Sequence, residues 1–319
     1  MATSGHVIEI DVPDIDQWQG GTSGAEWVHV FGSGADGPVV MINALTHGNE
    51  ITGAIVVDAL LQCGLRPRRG SLILSFANVA AFKTFDRQNP TASRFVDEDF
   101  NRVWGRLDRG PETQEMRRAR ALLPFVARAD LLLDLHSMSD PCPPLMLAGP
   151  LDKGVALARA IGAPLHVVRD EGHPAGRRMR DYGDFGDPAS AKNALLIEVG
   201  QHWRRDSELV AKDVTARFLV QTGICEQADL PADWFQPAPP QQKLIEVTQA
   251  VASRNGNFQF SRKVAGLDVI PEAGTVLGQD DERLVTTPYD NCVLIMPALR
   301  PVKPGNTVVR LGRFVPFPN

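Results

Sequence analysis

The segment from residue 39 to residue 50 reads VVMINALTHGNE, a nearly continuous apolar run that ends in a histidine and a glutamate. An apolar run without alternation is typical of a strand that is covered on both faces. Residues 51–61 then repeat apolar side chains at helical spacing, and Gly64 follows as a helix stop. Further buried strands are predicted at residues 71–76, 131–135 and 194–199, and further helices at 112–128, 151–161 and 208–221. This alternation predicts an α/β fold with a mixed, largely parallel sheet flanked by helices.

The regions on either side of this pattern look different. Two shorter strands are predicted at residues 6–12 and 27–31, and Pro124 is expected to bend or break the helix over 112–128. Residues 231–240, PADWFQPAPP, read as a stiff linker. The strand-like runs beyond it are short and broken by Gly and Pro. We therefore predict three parts, an α/β domain (residues 1–230), a Pro-rich linker (231–240) and a smaller all-β C-terminal domain that is barrel-sandwich-like (241–319).

Composition excludes several classes of protein. The net charge is −5, which argues against a protein that binds nucleic acid through its phosphates, although Arg (26) far outnumbers Lys (7). The four cysteines show no paired spacing, so neither a disulfide scaffold nor a cysteine zinc site is predicted. No signal peptide is visible, and the longest apolar stretch, residues 72–82, is too short to span a bilayer. We expect a soluble, cytoplasmic protein without nucleic-acid or membrane partners. The sequence leaves open whether the protein forms a homo-oligomer.

Two histidines and a glutamate have the spacing of metal ligands. His47 and Glu50 straddle a strand end and a helix start, where positions three apart can converge on one side. His136 ends another buried strand, and Asp134 shares its face, where it could accept a ring N–H from a ligand imidazole. Two imidazoles and one carboxylate leave a fourth position open, as in catalytic zinc sites. The alternative is a pair of hydrogen-bonded strand-end histidines without a metal.

Two further features fit a hydrolytic site. Glu198 ends a third buried strand, where a carboxylate is costly unless it is paired or functional, and it is a candidate base. The alternative there is an ion pair with Arg204 or Arg205. Asn101 and Arg102 follow an acidic stretch and could present a guanidinium fork to a substrate carboxylate, the alternative being a solvated loop.

Four short motifs occur in the order that is found in the succinylglutamate desuccinylase/aspartoacylase family, which belongs to the wider zinc carboxypeptidase-like group. The motifs are His47-x-x-Glu50, Asp99-x-Asn101-Arg102, Asp134-x-His136 and Glu198-x-Gly200. The chain resembles this family over roughly residues 38–225, and the predicted small β domain fits the family's two-domain plan.

The resemblance implies a chemistry for the first domain. It implies one Zn²⁺ per subunit, with His47, Glu50 and His136 as ligands and Glu198 as the general base. The expected activity is hydrolysis of a linear amide, the bond of an N-acyl amino acid, as in a deacylase or desuccinylase. A zinc carboxypeptidase that acts on short peptides, and a non-catalytic binding protein that keeps the fold, are the alternatives.

The resemblance also implies contacts to the small-molecule substrate. Asn101 and Arg102 are expected to hold its carboxylate, and Arg94 matches a further substrate-binding arginine. Family members bring an arginine and a tyrosine from the loop before the last strand of the site. In this chain the candidates in that loop are Arg177, Arg178, Arg180 and Tyr182, and the sequence leaves the choice among them open.

Overall fold

The structure, a computed structural model, describes residues 7–318 of the 319-residue chain. These residues contain fourteen strands: β1 (Val28–Gly32), β2 (Val39–Ala44), β3 (Ser71–Phe76), β4 (Leu131–Met138), β5 (Leu145–Leu147), β6 (His166–Arg169), β7 (Asn193–Gln201), β8 (Lys243–Ala252), β9 (Gln259–Phe260), β10 (Val269–Ile270), β11 (Val276–Asp280), β12 (Arg283–Thr286), β13 (Cys292–Ile295) and β14 (Thr307–Val315). They also contain five α-helices: α1 (Ile51–Gln62), α2 (Val79–Phe82), α3 (Gln114–Arg128), α4 (Asp152–Ile161) and α5 (Arg205–Gln221). Short 3₁₀ turns lie at Asp16–Trp18, Ala92–Arg94, Phe100–Arg102, Met179–Asp181, Gly183–Gly186, Gln227–Asp229 and Ala232–Trp234.

Eleven of the described strands form one mixed sheet, in the order β1-β3-β2-β4-β7-β5-β6-β8-β14-β13-β10. Its centre is parallel, because β2 pairs in parallel with β3 and β4, and β4 pairs in parallel with β7. Strand β5 runs antiparallel to β7, and parallel pairing resumes from β5 through β6 to β8. The prediction of a mixed, largely parallel sheet flanked by helices is confirmed.

Helices cover both faces of this sheet. Neighbouring residues of a strand point to opposite sides, so a single strand contributes apolar side chains to both helix layers. In β2, Val40 and Ile42 pack into the larger core cluster, which contains α1 and α5. Met41, between them, packs into a second cluster with Leu132 and with the apolar side of α3. Burial on both faces explains why β2 reads as a continuous apolar run.

The part after residue 240 is built from strands and contains no helix among its described residues. Strand β8 pairs in parallel with β6 and antiparallel with β14, so the main sheet continues into this part. Strands β9, β11 and β12 form a separate three-stranded antiparallel sheet. The smaller all-β part is therefore as expected, while the division at residues 231–240 stays a prediction. Within that segment Trp234 is buried in the main core.

Two local predictions are wrong. Residue 6 lies outside the described residues, and residues 7–12 form no strand, because Ile10 packs into the main core and the Glu9 N–H donates to the Trp203 carbonyl. Helix α3 continues through Pro124, so the expected break is wrong, while a bend at Pro124 stays a prediction. Pro124 lies on the exposed side of α3, while the buried side of the helix packs on the sheet.

None of the helices in the described part of the chain combines the length and the apolar character that crossing a lipid bilayer requires.

Candidate active site

Four of the predicted site residues lie in or just after three neighbouring parallel strands, at one edge of the sheet. His47 lies just after β2, and Glu50 directly precedes α1. His136 lies in β4, and the strand register pairs it with Glu198 in β7. Because the carboxyl ends of parallel strands meet at one edge, these four residues converge there from three distant parts of the sequence.

The turn between β2 and α1 needs a glycine for a reason that is visible only in three dimensions. A Cβ on Gly48 would collide with the backbone of Phe82 and of Ser93. The Gly48 N–H also donates to the Arg94 carbonyl at 3.1 Å. The backbone of the turn is thus held close to the segment that carries Arg94, and His47 and Glu50 are fixed at its two sides.

The Glu50 carboxylate lies between the two imidazole rings. Its Oε1 is 2.7 Å from His47 Nδ1, and its Oε2 is 2.9 Å from His136 Nδ1. The Ser137 N–H also donates to Oε2, at 3.1 Å. All three side chains are buried, and one ligand atom of each lies within 4.8 Å of the others. Two imidazole nitrogens and one carboxylate are the donor set of a catalytic zinc site, so this group could hold a metal ion.

A chain of buried hydrogen bonds orients His136. Its Nε2–H donates to Asp134 Oδ2 at 2.8 Å, so that Nδ1, on the side of Glu50, is the ring atom that could bind a metal. Asp134 Oδ1 accepts from Asn43 Nδ2 at 2.8 Å and from Thr46 Oγ1 at 2.9 Å. Asn43 Oδ1 in turn accepts from Ser75 Oγ at 2.6 Å. Asp134 was predicted behind this histidine, whereas the polar residues behind Asp134 were missed.

Asp99 contacts the outer ring nitrogen of His47, as Asp134 does for His136. The sequence motif contained Asp99, but no role was predicted for it. Its Oδ1 lies 3.0 Å from His47 Nε2 and accepts the Asn101 N–H at 2.9 Å. Arg94 Nη2 is 3.1 Å from Asp99 Oδ2 and 2.9 Å from His47 Nε2. Burial would raise the pKa of Asp99, but the charges of His47 and Arg94 hold it well below its ordinary value. Its position two residues before Asn101 is the feature of the sequence that could have identified it as a site residue.

Glu198 makes no ion pair with Arg204 or Arg205, which was the alternative to a catalytic role. Arg204 pairs with Asp206 at 2.8 Å, and Arg205 donates to the Glu9 carbonyl at 3.0 Å. Glu198 Oε2 is buried without a hydrogen-bond partner among the described residues. Burial raises the pKa of this carboxyl from 4.5 to about 8. A carboxyl with such a pKa exchanges its proton near neutral pH, which suits acid–base chemistry.

Asn101 and Arg102 lie in the 3₁₀ turn that faces the site. Asn101 Oδ1 accepts the Met179 N–H at 3.0 Å, and Asn101 Nδ2 lies 3.5 Å from His136 Nε2. Arg102 Nη1 donates to the Asn101 carbonyl at 2.8 Å. Burial lowers the pKa of Arg102 to about 10, so its charge lies in a poorly hydrated place.

The metal-ligand group lines a cavity of about 380 Å³ together with Asn101, Arg102 and Glu198. Its charged and imidazole lining consists of His47, Glu50, Arg94, Arg102, His136, Asp140, His173, Arg178, Glu198, Arg300 and Arg310. One wall comes from the part after residue 240, including residues 296–302 and Arg310. Arg310 was missed, although an arginine inside the apolar run TVVRL (residues 307–311) is the same kind of signal that identified Glu198.

Of the four loop candidates, only Arg178 lines this cavity. It is buried, and it pairs with Asp170 at 2.8 Å. Arg180 is also buried, but it donates to two backbone carbonyls outside the cavity. Tyr182 packs edge-on against Trp104, with ring centroids 5.5 Å apart. Arg177 is exposed and does not line the cavity.

Comparisons with known proteins point to one family. Residues 36–222, more than half of the chain, match the family model described as the succinylglutamate desuccinylase/aspartoacylase catalytic domain. A curated protein of Parasynechococcus marenigrum (strain WH8102), named "Probable aspartoacylase", is 34% identical over 177 residues. That match covers 50% of this chain and 52% of the relative, so the chain matches about half the length of that protein.

Solved structures share the fold over about nine tenths of this chain. The crystal structure of a succinylglutamate desuccinylase/aspartoacylase from Rhodobacter sphaeroides superposes with a TM-score of 0.66 at 20% identity, over 91% of this chain and 89% of that one. A succinylglutamate desuccinylase from Vibrio cholerae gives 0.69 at 16% identity, over 91% and 86%. At these identities the likeness establishes the fold, including the part after residue 240.

Proposed function

Because this chain belongs to the succinylglutamate desuccinylase/aspartoacylase family, we propose that it is a zinc-dependent hydrolase that cleaves the amide bond of an N-acyl amino acid. One observation carries the proposal. The buried group of His47, Glu50 and His136 lies at the same sheet edge as Glu198, a buried carboxyl without a hydrogen-bond partner on Oε2 among the described residues. A metal-ligand set beside a buried acid–base group is the arrangement that hydrolysis requires.

We assign the metal to His47, Glu50 and His136, one ion per subunit. The donor set, and the hydrogen bonds that the outer ring nitrogens donate to Asp134 and Asp99, support zinc. When bound, a zinc ion supplies positive charge, which polarises the scissile carbonyl, acidifies water and lowers the pKa of the nearby Glu198.

We assign proton transfer and substrate binding to residues of the chain. Glu198 accepts the proton of the attacking water and returns it to the departing amine. Arg102 and Asn101 bind the carboxylate of the amino acid, which the exposure of Arg102 to the cavity supports. Arg94, which contacts both His47 and Glu50 at the cavity wall, is assigned to the substrate near the scissile bond. Arg178 is the arginine of its loop that faces the substrate.

The cell compartment and the domain plan are part of the proposal. The four cysteines, Cys63, Cys142, Cys225 and Cys292, are unpaired, which fits the reducing cytoplasm. We also retain the division into a catalytic domain (1–230), a linker (231–240) and a small β domain (241–319). The parallel pairing of β8 with β6 supports a contact of the small β domain with the catalytic domain.

The first test is a substrate screen with the zinc-loaded protein. N-acetyl and N-succinyl amino acids should be hydrolysed, and dipeptides should be poor substrates. A preference for dipeptides would instead identify a carboxypeptidase, and no zinc-dependent turnover of either class would leave a binding protein that keeps the fold.

A variant then tests the assignment of the base. Glu198→Gln should retain its zinc and lose about two to four orders of magnitude in turnover. The exposed Glu282, changed to glutamine, is the matched control and should keep full activity. Near-wild-type turnover of Glu198→Gln would remove Glu198 from the mechanism.

A further inference from the structure

Arg310 reaches the cavity from the strand part of the molecule that follows residue 240. It lies in β14, where its register partners are Ile295 in β13 and Ala250 in β8. A strand that is paired on both sides is rigid, so the backbone at Arg310 holds the side chain at a well-defined position. The side chain lines the cavity that holds the metal-ligand group, and only 7% of the residue is exposed.

The guanidinium of Arg310 has no hydrogen bond and no ion pair within residues 7–318. The other arginines of the cavity differ, since Arg178 pairs with Asp170 and Arg300 lies 3.5 Å from Asp140. Removing a guanidinium from water without a paired carboxylate costs free energy. Burial accordingly lowers the pKa of Arg310. A costly buried charge that serves no internal contact is characteristic of a ligand-binding group.

Arg310 has charged neighbours of both signs, since Asp170 and Glu198 act to raise its pKa while Arg178 acts with burial to lower it. Arg178 and Arg310 both act to lower the pKa of Arg102, and all three lower that of His173. The carboxylate of Asp170 is already engaged, because its two oxygens accept from Arg178 at 2.8 and 3.0 Å. This corner of the cavity therefore has an excess of cationic donors, and a planar carboxylate matches the two-pronged geometry of a guanidinium.

We infer that Arg310 is a specificity-determining residue, which binds a second carboxylate of the substrate, apart from the one assigned to Asn101 and Arg102. The inference rests on the proposed function, and it narrows the substrate class to N-acyl amino acids with an additional carboxylate, on the acyl group or on the side chain. It also gives the part after residue 240 a direct role in substrate selection.

The test compares substrates that differ only in that second carboxylate. The zinc-loaded wild type and Arg310→Met are assayed on N-acetyl-L-aspartate against N-acetyl-L-asparagine, and on N-succinyl-L-alanine against its succinamoyl analogue. In at least one pair the wild type should prefer the carboxylate, and Arg310→Met should reduce that preference in kcat/KM about 10- to 100-fold. The carboxamide substrates should change less than about threefold.

Arg313→Met is the matched control, because Arg313 lies on the same strand but is exposed and pairs with Glu246. It should leave the preference unchanged. A wild type without preference for either carboxylate, or an Arg310→Met variant that loses activity equally on both members of a pair, would overturn the inference.

Binding separates this inference from the proposed function. Should the wild type hydrolyse no N-acyl amino acid, the proposed function fails, and calorimetry with succinate and succinamate still tests Arg310. The wild type should bind succinate about tenfold or more tightly than succinamate, and Arg310→Met should abolish the difference. Equal binding by the wild type, or an unchanged ratio in the variant, contradicts the role of Arg310 whatever the hydrolysis assay gives.

Two further measurements exclude a structural or purely electrostatic role. A binding arginine without internal partners should not be needed for folding, so Arg310→Met should unfold at the same or a higher temperature than the wild type. A decrease of several degrees would indicate a structural residue. Arg310→Lys keeps the positive charge near Glu198 but lacks the two-pronged guanidinium. Relative to Arg310→Met, it should therefore recover only part of the preference for the carboxylate substrates. Full recovery, with a pH profile shifted only in Arg310→Met, would mean that Arg310 serves Glu198.

Discussion

Replacing Glu198 by glutamine is expected to make the metal-free protein more stable at alkaline pH while changing its stability at pH 5 very little. Burial raises the pKa of the Glu198 carboxyl from 4.5 to about 8 in the folded protein. Between these two values the folded state binds more protons than the unfolded state. The free energy of unfolding therefore falls as the pH rises through this window.

The size of the effect follows from the same two values. A difference of 8 − 4.5 = 3.5 in pKa corresponds to roughly 5 kcal/mol at pH 9, where the carboxyl is largely ionised in both the folded and the unfolded state. At pH 5 the same relation gives less than about 1 kcal/mol. A glutamine cannot ionise, so Glu198→Gln should escape this loss and gain on the order of a few kcal/mol over the wild type at pH 9.

The assay is thermal or urea unfolding of chelator-treated protein at pH 5, 7 and 9. The melting temperature of Glu198→Gln should exceed that of the wild type by several degrees at pH 9 and approach it at pH 5. Glu282→Gln, at an exposed position, should follow the wild type throughout. A difference between Glu198→Gln and the wild type that is the same at pH 5 and pH 9 would refute the argument, because it would show that Glu198 titrates alike in both states.

Three further changes test other parts of the structure. His136→Ala should lose the metal itself, and full zinc content by elemental analysis would contradict its role as a ligand. Asp134→Asn should keep the ligands but weaken zinc binding about 10- to 100-fold in a competition titration, since the His136 ring is no longer held by a carboxylate; unchanged affinity would count against this. Gly149→Ala should destabilise the fold by about 1–3 kcal/mol more than Gly162→Ala in urea unfolding. Both glycines have positive φ, but only at Gly149 would a Cβ collide with the buried Arg180 guanidinium, and equal costs would show that Arg180 can move away.

The centre of the fold could be predicted because its evidence is local. Each central strand carries a continuous apolar run, and each ends in a residue whose type is out of place in a core. The runs at β2, β4 and β7 predicted parallel strands, and the parallel arrangement itself brings His47, His136 and Glu198 to one edge. Glu50 followed from its spacing to His47.

The rest of the site depends on contacts that no local pattern encodes. Asp99 reaches His47 across 52 residues, and Asn43 reaches Asp134 across 91. Helix α3 passes through Pro124, which lies on its exposed side, and which side of the helix faces the sheet is decided by contacts with distant strands. Arg310 lies in the cavity only because β14 joins the main sheet through β8.

The parallel pairing of β6 with β8 has a consequence for how the molecule is made. Until residues 243–252 have emerged from the ribosome, the backbone N–H and C=O groups along one side of β6 have no strand to pair with. An open strand edge of this kind attracts other chains and promotes aggregation. The strands that follow residue 240 therefore protect a nascent protein from its neighbours. A truncated product that ends at residue 240 should be prone to association and should also lack the cavity wall that carries Arg310.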